Sequence, residues 1–290
     1  MRFLITGSSG FLGTNILSQI RDNNEVITIG RNSSNDIRCE LSLDGPNLSI
    51  HKGESFDFVL HIAGKAHIVP KNEEEKEEFY KVNAIGTEHL LDAIDKYELK
   101  INTLVFISTV AVYGLEEGDL IDESYPLLGN SAYAKSKIEA ERIVNEWSEK
   151  SKVNVVILRL PLIYGENAPG NLGAMEKAIR KGYYFRLGTG SAKRSIVDVK
   201  KLAQFFPSLL GKNGVYNITE NTHPSYAEID ELLAKKYNKR IRKISPTMAR
   251  IFAKIGDKIP KFPLNTYRLS KLEQSLTFSN EKARKDLGWI

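Results

Sequence analysis

The sequence contains a single cysteine among its 290 residues, Cys39, which leaves it without a partner for an internal disulfide. Disulfides are rare in reducing compartments, so a cytoplasmic location is expected. A chain of this length buries roughly three quarters of the surface that its unfolded form exposes, so it needs neither a disulfide nor a metal for stability. The five histidines show no HExxH spacing and no CxxC is present, and no metal site is expected.

Long hydrophobic runs are absent as well. No segment approaches the roughly 20 apolar residues that a membrane-spanning helix needs. Glycine interrupts the N-terminal stretch MRFLITGSSGFLG too early for a signal peptide. The net charge is +5, yet no dense block of lysine and arginine with interleaved aromatics occurs. We therefore expect no membrane span and no nucleic-acid binding, and interpret the charge as a solvated surface plus a phosphate-binding cleft.

Short apolar runs alternate with segments of helical periodicity. The runs predict strands at residues 3–6, 25–30, 56–64 (with a turn), 103–109 and 154–160, and the periodic segments predict helices at residues 11–20, 73–100 and 133–150. The segment 31–50 is rich in Asn, Ser and Asp and predicts an irregular crossover. Alternating strands and helices are typical of an α/β fold, a Rossmann-type doubly wound parallel sheet.

The composition changes near residue 164, where Gly, Pro and Asn cluster in YGENAPGNLG. We therefore expect a dinucleotide-binding domain at residues 1–163 and a smaller C-terminal substrate-binding portion at residues 164–290, some segments of which return to the sheet. Such a portion would cover the carboxyl edge of the sheet, where open α/β proteins bind ligands.

The segment TGSSGFLG places Gly7, Gly10 and Gly13 at G-x-x-G-x-x-G spacing between a predicted strand and a predicted helix. Gly7 would permit the tight turn, Gly10 the approach of a pyrophosphate, and Gly13 close packing of helix on strand. A tight turn needs glycine for steric reasons in any case. The position directly after the first strand favours dinucleotide binding over that simpler explanation.

The end of the second predicted strand bears on the choice of cofactor. NAD-binding chains place a carboxylate there for the ribose 2′-hydroxyl, whereas this chain has Gly30 and then Arg31. An arginine can pair with a 2′-phosphate, so NADP(H) is favoured over NAD(H). The alternative is an ordinary surface arginine.

Tyr133 and Lys137 lie four residues apart in YAKSK, on one face of a predicted helix. A nearby ammonium lowers the pKa of a phenol, which predicts a tyrosine able to act as general acid or base. Ser108 and Thr109 end the preceding strand and offer hydroxyls to the same substrate oxygen. Chance spacing and ordinary capping are the simpler explanations for these residues.

The motifs TGSSGFLG, HIAG, VNAIGT, STVAVYG and YAKSK occur in the order found in extended short-chain dehydrogenases/reductases of the NAD-dependent epimerase/dehydratase family, which the whole chain resembles. The resemblance implies that Tyr133 transfers the proton, that Lys137 lowers its pKa and holds the nicotinamide ribose, and that Thr109 is the catalytic hydroxyl.

The resemblance also implies two sets of binding residues. The cofactor set is Gly7, Ser9, Gly10, Phe11, Leu12, Arg31, Asn32, Asp36, Ile37, Ile62, Ala63, Gly64, Lys65, Asn83, Ser108, Tyr133, Lys137 and Pro161, and the substrate set is His67, Thr109, Val110, Tyr133, Asn171, Leu172 and Arg194. Within the substrate set, Arg194 would bind the diphosphate. Lys65 and His67 either face the sugar or are an ordinary solvated lysine and loop histidine.

Within this family, 4,6-dehydratases carry acidic residues directly after the catalytic hydroxyl, where this chain has Val110 and Ala111. Dehydration is therefore disfavoured, which leaves a 4-keto reductase or a 4-epimerase. Arg31, and Leu162 in place of an asparagine common in epimerases, favour the reductase.

HIAGKAH, RLPLIYGENAPGN and RLSKLEQSLTFSNEKARKDLGW are similar to segments of bacterial polysaccharide-synthesis enzymes that reduce UDP-4-keto-6-deoxy-N-acetylhexosamines. A UDP-linked sugar is the implied partner. The resemblance also allows a homodimer through the helices at residues 73–100 and 133–150. A UDP-sugar 4-epimerase is the main alternative, and a non-catalytic NADP(H)-binding sensor a remote one.

Overall fold

A computed structural model describes residues 1–66, 68–259, 262 and 264–290. The strands are β1 (Arg2–Thr6), β2 (Glu25–Gly30), β3 (Ile37–Arg38), β4 (Ser55–His61), β5 (Lys100–Thr109), β6 (Gly118–Ile121), β7 (Asn154–Leu160), β8 (Leu162–Tyr164), β9 (Phe185–Leu187), β10 (Ile196–Asp198), β11 (Gly214–Asn217), β12 (Arg242–Ile244) and β13 (Leu276–Phe278). The helices are α1 (Phe11–Ile20), α2 (Glu73–Tyr80), α3 (Gly86–Lys96), α4 (Ala132–Ser151), α5 (Gly170–Lys181), α6 (Val199–Phe205), α7 (Tyr226–Lys236), α8 (Pro246–Gly256), α9 (Thr266–Glu273) and α10 (Glu281–Leu287).

The centre of the fold is a seven-stranded sheet in the order β11-β7-β5-β4-β1-β2-β3, and each adjacent pair in it is parallel. The predicted Rossmann-type sheet is therefore confirmed. The chain runs outwards in both directions from β1, so the crevice between the ends of β1 and β4 is the topological switch point at which such sheets bind ligands. The remaining strands form the short pairs β8–β10, β9–β12 and β6–β13.

Helices cover the central sheet on both faces, because its strands are apolar on both sides. In β1, Phe3 and Ile5 join a core with α1, α6 and α10, whereas Leu4 joins a second core with α3 and α4. Successive side chains of a strand point to opposite faces, so one apolar run supplies both cores.

The helix predicted at residues 73–100 is wrong in its extent. The structure has α2, a π-helical segment at Lys81–Ile85 and α3, which ends at Lys96. Glu98 adopts a positive φ of 56°, which a helix does not continue through, and Lys100 already begins β5. The irregular crossover predicted at residues 31–50 is observed, with only β3 and one 3₁₀ turn at Ser49–His51.

The C-terminal part of the chain contributes to the main core. β11 pairs with β7 at the edge of the sheet, and Trp289 is buried beside α6. The Trp289 indole lies edge-on to Phe205, with ring centroids 4.9 Å apart, and donates from Nε1 to the Thr219 carbonyl at 2.6 Å. Segments beyond residue 163 thus return to the sheet, while the domain boundary itself stays a prediction.

We predict that Trp289→Ala lowers the free energy of unfolding by about 3–5 kcal/mol, since it opens a cavity in the main core and leaves the Thr219 carbonyl without its donor. Urea unfolding followed by circular dichroism measures the change. The adjacent Ile290 is 81% exposed, so Ile290→Ala is the matched control and should leave stability unchanged within about 0.5 kcal/mol. Equal effects of the two substitutions would contradict the described packing.

Candidate active site

The turn between β1 and α1 requires glycine at two positions. Gly7 has a φ of 73°, and a Cβ added to it would lie 2.5 Å from the Ala63 nitrogen. A Cβ on Gly13 would lie 2.2 Å from the Gly7 carbonyl oxygen. The loop after β4 therefore excludes a side chain at Gly7, and the packing of α1 against the turn excludes one at Gly13.

Gly10 is different, because the protein itself has room for a side chain there. An added Cβ would meet only the Gly7 oxygen, at 3.4 Å, which is ordinary contact. Gly10 is the N-cap of α1 and is exposed, as is Ser9, and no side chain among the described residues caps this helix end. Phe11 and Leu12 open the helix, whose free N–H groups and positive dipole end fit a pyrophosphate.

Beyond the glycine turn, β2 ends at Gly30 and is followed by exposed residues. The Arg31 side chain is 77% exposed and lies 3.5 Å from the Glu40 carboxylate, and Asn32 is also exposed. Sequence reasoning missed Asn35, whose Oδ1 accepts a hydrogen bond from Ser8 Oγ at 2.7 Å. This contact joins the loop after β2 to the glycine turn, and no motif in the sequence signals it.

Asp36, predicted to contact adenine, bonds to the protein through its carboxylate. Its Oδ2 accepts hydrogen bonds from both the nitrogen and the hydroxyl of Thr28, each at 2.8 Å. Burial raises the pKa of Asp36, but the bonds from Thr28 together with the charge of Arg21 hold the pKa below its ordinary value. Ile37 follows in β3, opposite Ile29 of β2.

A chain of buried hydrogen bonds joins the ends of β1 and β4 to the helix beyond. Thr6 Oγ1 accepts from the Ala63 nitrogen at 3.1 Å and lies 2.7 Å from His61 Nδ1. His61 Nε2 lies 2.9 Å from Thr87 Oγ1, which itself donates to the Asn83 carbonyl at 2.6 Å. Thr87 can then only accept from His61, so His61 carries its proton on Nε2 and accepts from Thr6. Burial, and secondarily the charge of Lys137, lowers the pKa of His61 to about 3.

Asn83, predicted as a cofactor residue, is fully enclosed and holds two other segments. Its Oδ1 accepts from the Lys65 nitrogen at 2.7 Å, and its Nδ2 donates to the Lys65 carbonyl at 3.0 Å and to Ser136 Oγ at 2.9 Å. Ser136 in turn donates to the Tyr133 carbonyl at 2.8 Å. The π-helical segment that contains Asn83 thereby fixes the loop after β4 and the first turn of α4.

Thr109 and Tyr133 meet at the carboxyl edge of the sheet. Thr109 ends β5, and its Oγ1 accepts from the Ala111 nitrogen at 3.2 Å, at the start of the 3₁₀ turn that begins at Val110. Tyr133 lies in the first turn of α4. Burial raises the pKa of the Tyr133 phenol, and a hydrogen bond with Thr109 opposes that rise without cancelling it.

Lys137 lies one turn further along α4 and is only 4% exposed. Its ammonium is 4.1 Å from the centroid of the Phe106 ring. Burial lowers its pKa to about 7, against the charge of Glu141, which raises it. We expected Lys137 to lower the pKa of Tyr133, whereas burial raises the pKa of the phenol and lowers that of the lysine.

Ser108 was predicted beside the cofactor, and the structure places its hydroxyl on Glu141 of α4. Glu141 also accepts two hydrogen bonds from the buried Arg159 of β7, at 2.7 and 3.1 Å. Sequence reasoning missed this ion pair. The signal was present, because Glu141 continues the four-residue spacing of Tyr133 and Lys137 on the same face of α4.

The other cofactor candidates line the same edge of the sheet. Ile62, Ala63 and Gly64 follow β4, and Pro161 follows β7. The Lys65 ammonium pairs with Glu78 of α2. That pairing turns the Lys65 side chain towards α2.

The remaining substrate candidates lie apart from one another along the chain. Asn171 is exposed and Leu172 buried in the first turn of α5. Arg194 donates to the carbonyls of Lys271 and Gln274 at the end of α9, and its guanidinium lies 5.2 Å from the Tyr226 ring centroid. His67 falls outside the described residues. A phosphate at Arg194 would therefore bind next to the C-terminal end of α9.

The sequence also led to expectations about metal sites and membrane spans, which can be compared with the described residues. In the described ranges, no group of three or more His, Cys, Asp and Glu side chains is placed to hold a metal ion. No helix in the described part of the chain is long and apolar enough to cross a membrane.

The sequence family is established by comparison with known proteins. The model of the NAD dependent epimerase/dehydratase family matches residues 3–219, three quarters of the chain. The chain therefore belongs to this family of nicotinamide-dependent enzymes.

Among individual relatives, an N-acetyl-alpha-D-glucosaminyl-diphospho-ditrans,octacis-undecaprenol 4-epimerase of Escherichia coli O157:H7 is 29% identical over 80% of this chain and 72% of its own. A GDP-6-deoxy-D-talose 4-dehydrogenase of Aggregatibacter actinomycetemcomitans is 30% identical over 81% of this chain and 80% of its own.

Solved structures share the fold. The UDP-glucose 4-epimerase of Thermus thermophilus in complex with NAD has a TM-score of 0.75 at 21% identity, covering 100% of this chain and 94% of its own. The protein RMD of Pseudomonas aeruginosa, complexed with NADPH, has a TM-score of 0.74 at 20% identity, covering 100% of this chain and 93% of its own.

The two types of glycine in the turn give a paired prediction. Gly10→Ala should leave the midpoint of thermal unfolding within about 2 °C of the wild type, because its Cβ has room, yet weaken binding of the nicotinamide cofactor at least about tenfold by filling the space over the α1 N-terminus. Gly13→Ala should lower that midpoint by several degrees through its contact with Gly7. Calorimetry and cofactor titration measure the two effects. Unchanged cofactor affinity in Gly10→Ala would place the pyrophosphate elsewhere.

Proposed function

We propose that this chain reduces the C4 keto group of a UDP-4-keto-6-deoxy-N-acetylhexosamine with NADPH, in the synthesis of a surface polysaccharide. The observation that supports it best is the Tyr133 phenol facing the Thr109 hydroxyl at the carboxyl edge of the sheet. The same edge carries the glycine turn, whose Gly10 leaves space for a pyrophosphate. A hydride donor and a proton donor would then meet at one carbonyl.

The described residues can carry out the proton chemistry of this reaction. When bound, the reduced nicotinamide supplies a hydride to the carbonyl carbon. Tyr133 gives its proton to the developing alkoxide, and its raised pKa keeps the phenol in the donating form at neutral pH. Since the Thr109 oxygen accepts from Ala111, its own hydrogen can be donated to the same substrate oxygen. Donors aimed at a developing oxyanion are worth roughly 3–4 kcal/mol each.

The end of β2 is the observation that favours NADP(H). Gly30 occupies the place of the usual acidic residue, and Arg31 beside it is 77% exposed. The Asp36 carboxylate is turned towards Thr28, so it does not compete for the ribose. An exposed guanidinium at this place suits a 2′-phosphate.

A UDP-sugar 4-epimerase is the second candidate, and the names of several relatives favour it. An epimerase must first remove a proton from a substrate hydroxyl, which needs the phenolate form of Tyr133. An epimerase also retains its NAD, whereas Gly30 and Arg31 at the end of β2 favour NADP(H), which places this candidate second. A non-catalytic NADP(H) sensor is a weaker candidate still, because the chain keeps Thr109, Tyr133 and Lys137. The cytoplasmic location and the homodimer stay predictions.

The decisive assay mixes the protein with NADPH and UDP-4-keto-6-deoxy-GlcNAc and follows absorbance of the reduced nicotinamide. Stoichiometric loss of NADPH with formation of a 6-deoxy sugar supports the reductase, and NMR of the product gives its C4 configuration. No loss of NADPH, together with interconversion of UDP-GlcNAc and UDP-GalNAc on added NAD, would assign the chain to the epimerases instead.

Removal of one hydroxyl tests the role of Tyr133. We predict that Tyr133→Phe lowers kcat by about 10²–10⁴, the usual contribution of a general acid, while NADPH affinity changes less than about threefold. Steady-state kinetics and fluorescence titration measure the two quantities. Tyr183→Phe is the matched control, since Tyr183 is 57% exposed and should be without effect. Wild-type turnover in Tyr133→Phe would refute the assignment.

Cofactor preference is tested at Arg31. Arg31→Ala should raise KM for NADPH about tenfold and leave KM for NADH nearly unchanged, because only NADPH carries the 2′-phosphate. Arg38→Ala, a change of another exposed arginine on β3, serves as the control. An equal change in KM for both cofactors in Arg31→Ala would show that Arg31 does not recognise the phosphate.

A further inference from the structure

Helix α8 buries its small side chains and exposes its large apolar ones, which is the reverse of the usual arrangement. Its buried residues are Ala249 and Ala253, which contact Leu264 and Leu269 in a small satellite core. A surface helix normally turns its large apolar side chains inwards. Here the small residues face the protein, so the larger apolar side chains of the helix are left outside.

Four large apolar side chains of α8 form an exposed stripe, which we call the α8 stripe: Met248, Ile251, Phe252 and Ile255, exposed by 51%, 53%, 36% and 42%. Their spacing of three, four and seven residues places them on one helix face. Ile259, just beyond the helix, is 48% exposed as well. Contiguous apolar surface of this kind marks an interaction site.

The segment that carries the α8 stripe is mainly basic, although Arg250 lies 3.8 Å from Glu273 of α9. Residues 239–258 contain seven lysines and arginines, all exposed, and a single acidic residue, Asp257. Asp257, at the C-terminal end of α8, accepts hydrogen bonds from the nitrogen and hydroxyl of Thr266. Lys254 follows Ile251 by three residues on α8 and therefore borders its side of the stripe.

We propose that the α8 stripe docks this protein on an anionic membrane surface, with α8 lying in the plane of the lipid headgroups. An exposed apolar face bordered by lysines is the pattern of an interfacial helix, in which the apolar side chains enter the acyl boundary. The lysine stems extend along that boundary while their ammonium groups reach the lipid phosphates. The site at Tyr133 is not involved, so the inference is independent of the proposed reaction.

A second copy of the chain is a poorer occupant of this face. In a symmetric dimer the same patch meets itself, so the lysines that border one stripe would approach those of the other. Like charges brought together at an apolar contact oppose association. An anionic lipid surface satisfies the apolar stripe and the positive border at once.

The test is co-sedimentation of the full chain, without substrate or cofactor, with vesicles of about three parts phosphatidylcholine to one part phosphatidylglycerol. We expect binding that weakens as salt is raised and is nearly absent with phosphatidylcholine alone. The double substitution Ile251→Ser with Ile255→Ser should weaken binding at least about tenfold, since both side chains lose apolar contact. Leu232→Ser on α7 is the matched control, because Leu232 is 71% exposed and lies outside the stripe.

A charge substitution, and a measurement of the oligomeric state by light scattering, complete the experiment. Lys254→Glu should reduce binding to the anionic vesicles, whereas Lys150→Glu, an exposed lysine of α4, should not. All the substituted side chains are partly or fully exposed, so the far-ultraviolet circular dichroism should stay that of the wild type. Failure of the wild type to sediment with anionic vesicles overturns the proposal. The proposal is also overturned if light scattering shows that the wild type is a dimer and the double serine variant a monomer. That result would assign the stripe to a contact with a second copy of the chain.

Discussion

A buried chain of hydrogen bonds between Thr6 and Ser136 is the constraint on which the rest of the site depends. It runs through His61, Thr87 and Asn83 and so connects β1, β4, the π-helical segment and α4. Each of these polar groups is enclosed, and a buried polar group without a partner is costly. The chain therefore admits one arrangement of donors and acceptors, and the elements that carry them are held in one register.

The geometry of the candidate active site follows from this arrangement. The glycine turn contacts the loop after β4 through Gly7 and Ala63, and Asn83 holds the same loop to the first turn of α4, where Tyr133 lies. The open space at Gly10 and the phenol of Tyr133 are thus fixed relative to each other. His61 lies in the same region as a neutral ring, because burial and secondarily the charge of Lys137 lower its pKa.

The sequence predicted the parallel sheet and the place of the site because its signals are local. Glycine spacing, apolar runs and the Tyr133–Lys137 pair can each be recognised within a few residues. The contacts of Asn83, Ser108 and Arg194 could not be predicted in that way, because their partners lie far away in the chain. Periodicity also joined α2 and α3 into one helix, since the π-helical segment Lys81–Ile85 between them keeps the chain helical. It extended that helix to residue 100, since the turn near Glu98 carries no proline or glycine. The sequence of α8 alone does not show that its alanines face inwards, because that packing depends on contacts with α9.

The state of His61 tests the central claim, that one directed chain of hydrogen bonds organises the site. ¹⁵N NMR of the histidine-labelled protein, assigned with His61→Gln, reports which ring nitrogen carries the proton and how it titrates. The account predicts a neutral ring protonated on Nε2 from about pH 5 to about pH 8, with the pKa lowered to about 3. A ring protonated on Nδ1, or one that titrates near its ordinary pKa, would contradict it, because Thr6 and Thr87 could not then keep the arrangement described.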